Sequence, residues 1–441
     1  MSDQWQAPLP HGGNNAALAQ WWAGFGDPTL VTLIQAAEAD SPSLARAWAR
    51  IESARASLAS TESAAAPSLN ASGSLTRSRQ QLLGSQTSTQ TSRSAGLDAS
   101  WELDLFGKVR RNAEAAQARL DARVDDWHDA RVSLAAEVAD TYVQYRACHL
   151  LAQTYEQEAA SMTQTATATR LAVEAGFKAP ADGALARASL ANTQSSLQAQ
   201  RVQCSLLLKS LVNLTGSPEP SLQARLASGP AALPRPEGFQ ITAVPAQTLR
   251  QRPDIASLER EVAATSAEIG AARADLYPSL SLGGSVALSA SNLTSGITTW
   301  SFGPALSIPL FDGGRRRAAV ASAQASYQSA IAQWRQGVRS AVKEVEQALV
   351  NLDGASSRAI LTAQAAQDYR TYLTATEVSW RAGNVSLLTL EEARRSALSA
   401  ELQSTEQVRN QLQYWIALYK AVGGGWDPSL PATAPGGPSL P

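Results

Sequence analysis

Between Gly96 and Gly107, the run GLDASWELDLFG sets carboxylates at Asp98, Glu102 and Asp104 against apolar Leu97, Ala99, Trp101, Leu103 and Leu105. Period-two alternation of this kind puts the acids on one face of a strand and the apolar side chains on the other. Carboxylates so placed suit the wall of a watery passage. Other candidates for chemistry are sparse. The histidines are His11, His128 and His149, and the cysteines are Cys148 and Cys204. That is too few for a His/Cys metal centre or a histidine-based triad. The sequence has no glycine-rich phosphate loop, no GxSxG and no HExxH, and the paired acids Glu391 and Glu392 stand beside arginines on an expected helix. The reading is therefore of a protein that is no enzyme and takes no metal or cofactor.

Composition sets wider bounds. With 441 residues the chain has room for two or three ordinary domains, and its net charge of −1 gives no reason to expect a nucleic-acid partner. No apolar run reaches the ~18 residues of a membrane-spanning helix. A β-barrel stays open, because its signal is weak and alternating. MSDQWQAPLP lacks the basic and apolar segments of a signal peptide, so the expectation is either a cytosolic protein or a mature chain whose leader is gone. The tail GGPSLP is expected to be disordered.

An internal duplication organises everything else. SPSLARA around Pro42 matches RPDIASL around Pro253, and Ala66-Pro67-Ser68-Leu69 matches Tyr277-Pro278-Ser279-Leu280. Leu105-Phe106 matches Leu310-Phe311, Arg110-Arg111 matches Arg315-Arg316, and Thr167–Gly176 matches Thr374–Gly383. Each copy reads as a medium helix (42–66, 253–276), stopped by Pro67 or Pro278 because proline lacks the N–H. Two strands follow (68–79 and 94–105; 279–290 and 297–310), then a very long helix (107–175; 313–382). Gly176 or Gly383 turns the chain into a returning helix. The resulting division is 1–41 as an N-terminal segment, 42–214 as the first repeat and 215–244 as a linker. Residues 245–422 form the second repeat and 423–441 a flexible tail.

The long helices carry a 3–4 seam. It runs through Trp334, Val338, Ala341, Val345, Ala348 and Leu352, and in the first copy through Trp127, Leu134, Val138, Thr141, Tyr145 and Cys148. Such a seam predicts coiled-coil packing along rods of roughly 100 Å. The strands present a separate problem. Leu280, Leu282, Val286 and Leu288 form one apolar stripe, Trp300, Phe302, Leu306 and Ile308 another, and no expected helix covers them. Four strands cannot close a barrel, and an open edge is forbidden in lipid. The chain must therefore supply part of a barrel closed by its own copies, three copies giving twelve strands and a lumen. The apolar face then meets lipid while Asp98, Glu102 and Asp104 line the lumen. A soluble β-sandwich edge and a soluble coiled-coil scaffold are the competing readings.

RPDIASLEREVAATSAEIGAARADLYPSLSL, GPALSIPLFDGGRRRA and the terminal YKAVGGGW resemble the TolC-type outer-membrane factors, in particular their efflux-lipoprotein branch. The resemblance runs from Trp21 to Trp426. It implies a mainly α fold with β, a homotrimer that builds a twelve-stranded outer-membrane barrel and a long α-helical barrel through the periplasm, with an equatorial belt. It also implies the function: an exit duct that conducts small molecules from an inner-membrane pump, of the RND type, through a periplasmic adaptor. A type I protein-secretion duct is the alternative. Branch members carry an acylated N-terminal cysteine, so a lipid anchor is inferred for the native precursor. The cargo stays open among drugs, metals and proteins, although two methionines, Met1 and Met162, are few for a soft-metal relay.

By the same resemblance, adaptor docking belongs to the tip turns at Gly176 and Gly383. An acidic and an apolar residue past the second turn narrow the periplasmic mouth. Counting through WRAGNVSLLTLEEARR places them at Glu392 and Leu388, one helical turn apart. The alternative is an ordinary solvated glutamate beside Arg395. Trp380 and Arg381 before the turn are implied in the gate, with plain core packing as the rival for Trp380. The basic clusters Lys108, Arg110, Arg111 and Arg315, Arg316, Arg317 open helices whose dipole they oppose. They are read as contacts to head groups or as ion pairs between subunits. Cys148 and Cys204 lie nearly equidistant from Gly176 on antiparallel helices, either bridged in the oxidising periplasm or held as two buried thiols.

Overall fold

The computed structural model describes residues 21–81, 87–230, 232–234, 249–292 and 294–426. The expected N-terminal segment up to residue 20 with His11, the linker residues 231 and 235–244, residues 82–86 and the tail from 427 lie outside the described residues. The described part of the linker is not loop alone but contains a ten-residue helix, Glu219–Ser228. The order is α1 (Pro28–Ala39), α2 (Pro42–Ser63), β1 (Ser68–Gln81), β2 (Thr87–Leu103), α3 (Lys108–Glu174), α4 (Pro180–Thr215) and α5 (Glu219–Ser228). It continues through α6 (Pro253–Ala274), β3 (Ser279–Ser291), β4 (Ile297–Ser307), α7 (Arg315–Arg381) and α8 (Leu387–Ala421). The duplication is nearly residue for residue: α2 and α6 have 22 residues each, α3 and α7 have 67 each, and α4 and α8 have 36 and 35.

The chain divides into two compact units, one of residues 1–48, 127–253 and 338–441, the other of 49–126 and 254–337. The first unit holds the coiled-coil seams. Trp127, Leu134, Val138, Tyr145, Cys148, Val338, Ala341, Val345, Ala348 and Leu352 are all buried, as their 3–4 spacing demands. Trp21 stacks on Tyr419 with ring centroids 4.9 Å apart, so the segment before α1 is fastened to the last helix. Asp27 caps α1 through the Thr29 amide at 3.0 Å and also accepts from the buried Tyr142 hydroxyl, which Arg146 meets at 2.8 Å. The YKAVGGGW motif is a packed turn. Gly423 has φ +94°, and a Cβ there would stand 2.0 Å from the Gln251 carbonyl oxygen.

The second unit holds one antiparallel sheet in the order β1-β2-β3-β4, so β1 and β4 are both free edges. Register puts Asn70, Asp98, Ser285 and Ser301 on one rung and Ala71, Leu97, Val286 and Trp300 on the next. Successive rungs point to opposite faces. One face is therefore polar, its hydroxyls paired across strands as at Ser74–Ser94 (2.8 Å) and Ser285–Ser301 (2.9 Å). The other face is apolar and uncovered: Trp300 is 77% exposed and Phe302 75%.

The strands depart from expectation at three places, one of them the end of β4 at Ser307 rather than 310. Pairing continues to Gln81↔Thr87, so the polar run expected as a loop is largely strand. Its threonines, Thr87, Thr89 and Thr91, are β-branched and favour the strand even without apolar alternation. At the other end β2 stops at Leu103 rather than 105, for a reason that concerns Asp104.

Candidate functional site

The turn after α3 and the turn after α7 have the same construction. The Gly176 amide donates to the Val173 carbonyl (3.0 Å) and the Phe177 amide to the Ala172 carbonyl (2.8 Å). In the second copy Gly383 donates to Trp380 (2.9 Å) and Asn384 to Ser379 (2.9 Å). These paired 5→2 and 6→1 bonds are the Schellman closure, which needs a left-handed residue. Gly176 and Gly383 have φ +77° and +78° and no atom near the position of an added Cβ. Glycine is thus required by backbone angle, not by crowding. Phe177, 83% exposed, stands out from the first turn.

Beyond the second turn, Ser386 caps α8 through the Thr389 amide at 3.1 Å. Two faces of α8 then separate. Leu387, Leu390, Glu391, Arg394 and Ala397 are buried. Leu388, 54% exposed, shares the open face with Glu392 and Arg395. The structure thus brings Leu388 and Glu392 together on a solvent-facing stripe. Trp380 does not join them. It packs on a tip cluster of Ala186, Leu387 and Leu390, so it holds the turn closed from inside, because its 3–4 phase points inward. Arg381 is outward and lies 3.8 Å from Glu377.

The inward pair that sequence reasoning passed over is Glu391–Arg394. Arg394 is 4% exposed and donates to Thr165 Oγ1 (2.8 Å), Ser161 Oγ (3.1 Å), Glu377 (3.0 Å) and Glu391 (3.5 Å). The signal was present: Glu391 and Arg394 fall in step with Leu387, Leu390 and Ala397, whereas Glu392 and Arg395 fall in step with Leu388. Burial pushes the carboxyl of Glu158 on α3 up to about 6, with Glu391, Glu377 and Glu401 adding to the rise and Arg394 opposing it. Glu391 is raised too, again by burial first.

A raised acid stabilises the fold most where it is protonated. The Glu158 contribution is complete below the ordinary value of 4.5 and lost as the pH rises through about 6. Glu158→Gln fixes the uncharged form. It is expected to stabilise the protein at pH 7.5 by roughly 1–2 kcal/mol and to change nothing at pH 4.5. Thermal unfolding at the two pH values reads this directly.

At the strand-to-helix junctions the carboxylate of Asp104 accepts from the amides of Val109 (3.1 Å) and Arg110 (2.9 Å). Asp312 does the same for Gly314 (3.0 Å) and Arg316 (3.2 Å). Asp104 therefore caps α3, past the end of β2, and is not part of the strand face that carries Asp98 and Glu102. Orphan amides at a helix start draw an acid more strongly than one further strand position would hold it. The basic clusters are partly answered within the chain: Lys108 meets Asp275 at 2.8 Å and Arg111 meets Glu114 at 2.6 Å.

The family model for outer membrane efflux proteins matches residues 33–217 and 244–424, which are the two structural repeats. The chain belongs to the outer membrane efflux protein family. It is 32% identical to the pyoverdine export outer membrane protein OpmQ of Pseudomonas putida, over 97% of this chain and 92% of that protein. It is 31% identical to nodulation protein T of Rhizobium leguminosarum bv. trifolii, over 94% and 89% of the two chains. Among solved structures it superposes on the outer-membrane channel OprN with a TM-score of 0.83 at 28% identity, covering 96% of this chain and 95% of that one.

This efflux-family chain also carries a disulfide, Cys148–Cys204, joining α3 to α4 across 56 residues. The second repeat has Ala355 and Gln411 at the equivalent positions, and Gln411 donates to Ser356 instead (3.0 Å). The bridge is thus a feature of one repeat only. Cys148→Ser with Cys204→Ser is expected to lower stability by about 4 kcal/mol from released loop entropy, read as a drop in denaturation midpoint that dithiothreitol reproduces in the wild type.

Proposed function

We propose that this protein is the outer-membrane exit duct of an efflux system, working as a homotrimer. The observation that carries this reading is the sheet: one face polar, one face apolar and uncovered, and two unpaired edges. In lipid such a sheet must close on others. Three copies pair β4 of one with β1 of the next, giving twelve strands around a watery lumen faced by Asp98 and Glu102. The long helices continue the passage into the periplasm. There the turns at Gly176 and Gly383, with Phe177 exposed beside them, form the docking surface for a periplasmic adaptor and an inner-membrane pump of the RND type. Leu388 and Glu392 from three copies converge on the axis and narrow the mouth. A ring of carboxylates favours cations, and a ring of leucines resists wetting. A lipid anchor on the native precursor accords with the efflux-lipoprotein resemblance.

Detergent extraction followed by mass determination and single-channel recording in planar bilayers tests the reading. A trimer with small, cation-selective openings is the expected result. A monomer soluble without detergent overturns it.

A further inference from the structure

The apolar face of the sheet has a charged end. Arg77, Arg79 and Arg93 lie on the same face as Leu75, Leu97, Trp300 and Phe302, because Arg93 pairs with Leu75 and Ala290, Arg77 with Thr91, and Arg79 with Thr89. All three arginines are exposed. Arg77 and Arg79 are two residues apart on one strand, and Arg93 is diagonal to Arg77, the spacing of near neighbours on a sheet. No carboxylate shares that face. The only acids within the four strands, Asp98 and Glu102, fall on the opposite one. Arg79 donates to the Thr87 hydroxyl at 3.0 Å, which supplies no charge. Three like charges side by side repel, and among the described residues of the sheet no carboxylate on their face compensates them.

Their height on the sheet identifies what does. From Leu103 to Arg93 the outward positions are apolar or small over ten residues of β2. At ~3.4 Å per residue and a tilt near 40°, that is roughly 26 Å of depth, matching the ~25 Å apolar band of outer-membrane barrels. Every strand joins its helix at the Leu103 end. With the helices in the periplasm, the arginines stand at the outer leaflet, at the level of its head groups. Guanidinium is the side chain best matched to phosphate, through its planar fork of donors.

We infer that Arg77, Arg79 and Arg93 form an outward-facing site for the phosphorylated glycolipid of the outer leaflet, lipid A, with three such sites around a trimer. The inference rests on the exit-duct reading. The two phosphates of one lipid A head group answer a cluster of three cations better than the single phosphate of an ordinary phospholipid does.

The test is native mass spectrometry of the purified trimer in neutral detergent, titrated with lipid A or with phosphatidylglycerol. The wild type is compared with Arg77→Gln/Arg79→Gln/Arg93→Gln and with the corresponding triple lysine variant. Trimer mass and bilayer conductance are recorded for each. Expected are up to three lipid A molecules per wild-type trimer, held more tightly than phosphatidylglycerol. The glutamine variant should lose at least about tenfold in affinity, with the lysine variant in between and conductance unchanged in all. A conducting wild-type trimer that binds lipid A no better than its glutamine variant overturns the site alone. Equal affinity for the two lipids overturns the assignment to lipid A. A wild type that forms no trimer overturns the duct and the site together.

Discussion

Leu388→Ala is expected to raise single-channel conductance about tenfold, the factor given by removing roughly 1.4 kcal/mol of barrier. The argument begins with exposure. A leucine 54% exposed on an otherwise amphipathic helix leaves apolar surface in water unless something faces it. In the proposed trimer that something is the same leucine of the two other copies. Three leucines around a narrow axis form a ring that water leaves readily, and ions cross a dewetted ring slowly. Alanine removes the ring and leaves α8 intact, since alanine is the better helix former. Glu392, one turn further along the same face, would act in the proposed trimer on charge instead of width. Glu392→Gln is therefore expected to reduce cation selectivity with little change in conductance. Reversal potentials in a salt gradient separate the two effects. An unchanged conductance in Leu388→Ala, measured on a trimer that still conducts, would remove this residue from the gate.

Much of this fold was legible because its sequence repeats. Pro67 and Pro278, Gly176 and Gly383, and the two Leu-Phe junctions mark equivalent points in two copies, so each boundary was read twice. The Leu97–Trp101 alternation gave the face of the sheet, and the 3–4 seam gave the buried side of α3 and α7. The failures are informative in physical terms. Asp104 continued the alternation and looked like one more lumen acid, but two orphan amides of α3 bind its carboxylate more firmly than water does. The Thr- and Ser-rich run from Thr87 to Ser92 had no hydrophobic period to mark it as a strand. Its pairing is set by its neighbour in the hairpin and not by its own pattern. Glu391 and Glu392 differ by 100° of helix rotation, and only the phase against Leu387 and Leu390 tells that one is buried and one exposed. Reading charge types without phase, one sees two solvated pairs where there is one.

That buried member sets the other large effect. Arg394→Ala is expected to destabilise the protein by about 3–5 kcal/mol, the cost of breaking a buried ion pair by removing one partner. The Arg394 guanidinium holds down the Glu158 carboxyl, which burial and then Glu391, Glu377 and Glu401 raise. It also meets Ser161 and Thr165 of α3, so it ties α8 to α3 and to Glu377 of α7 at once. Without it Glu391, itself 4% exposed, keeps only the Ser189 hydrogen bond and the charge of Arg395 against its burial, and is driven towards taking up a proton. The loss should therefore be larger at pH 7.5 than at pH 5, and adding Glu391→Gln should recover part of it. A double-mutant cycle read by thermal unfolding measures that coupling. A coupling near zero would mean that Arg394 acts through Glu377 and its hydroxyl partners and not through Glu391. The stakes reach past stability. Leu388 and Glu392 occupy the same two turns of α8 as Glu391 and Arg394, so in the proposed trimer the buried pair would fix the position from which the exposed pair faces the axis. An Arg394→Ala trimer that remains folded in mild conditions is expected to leak current as is expected of Leu388→Ala, with the proposed gate residues intact but no longer held in place.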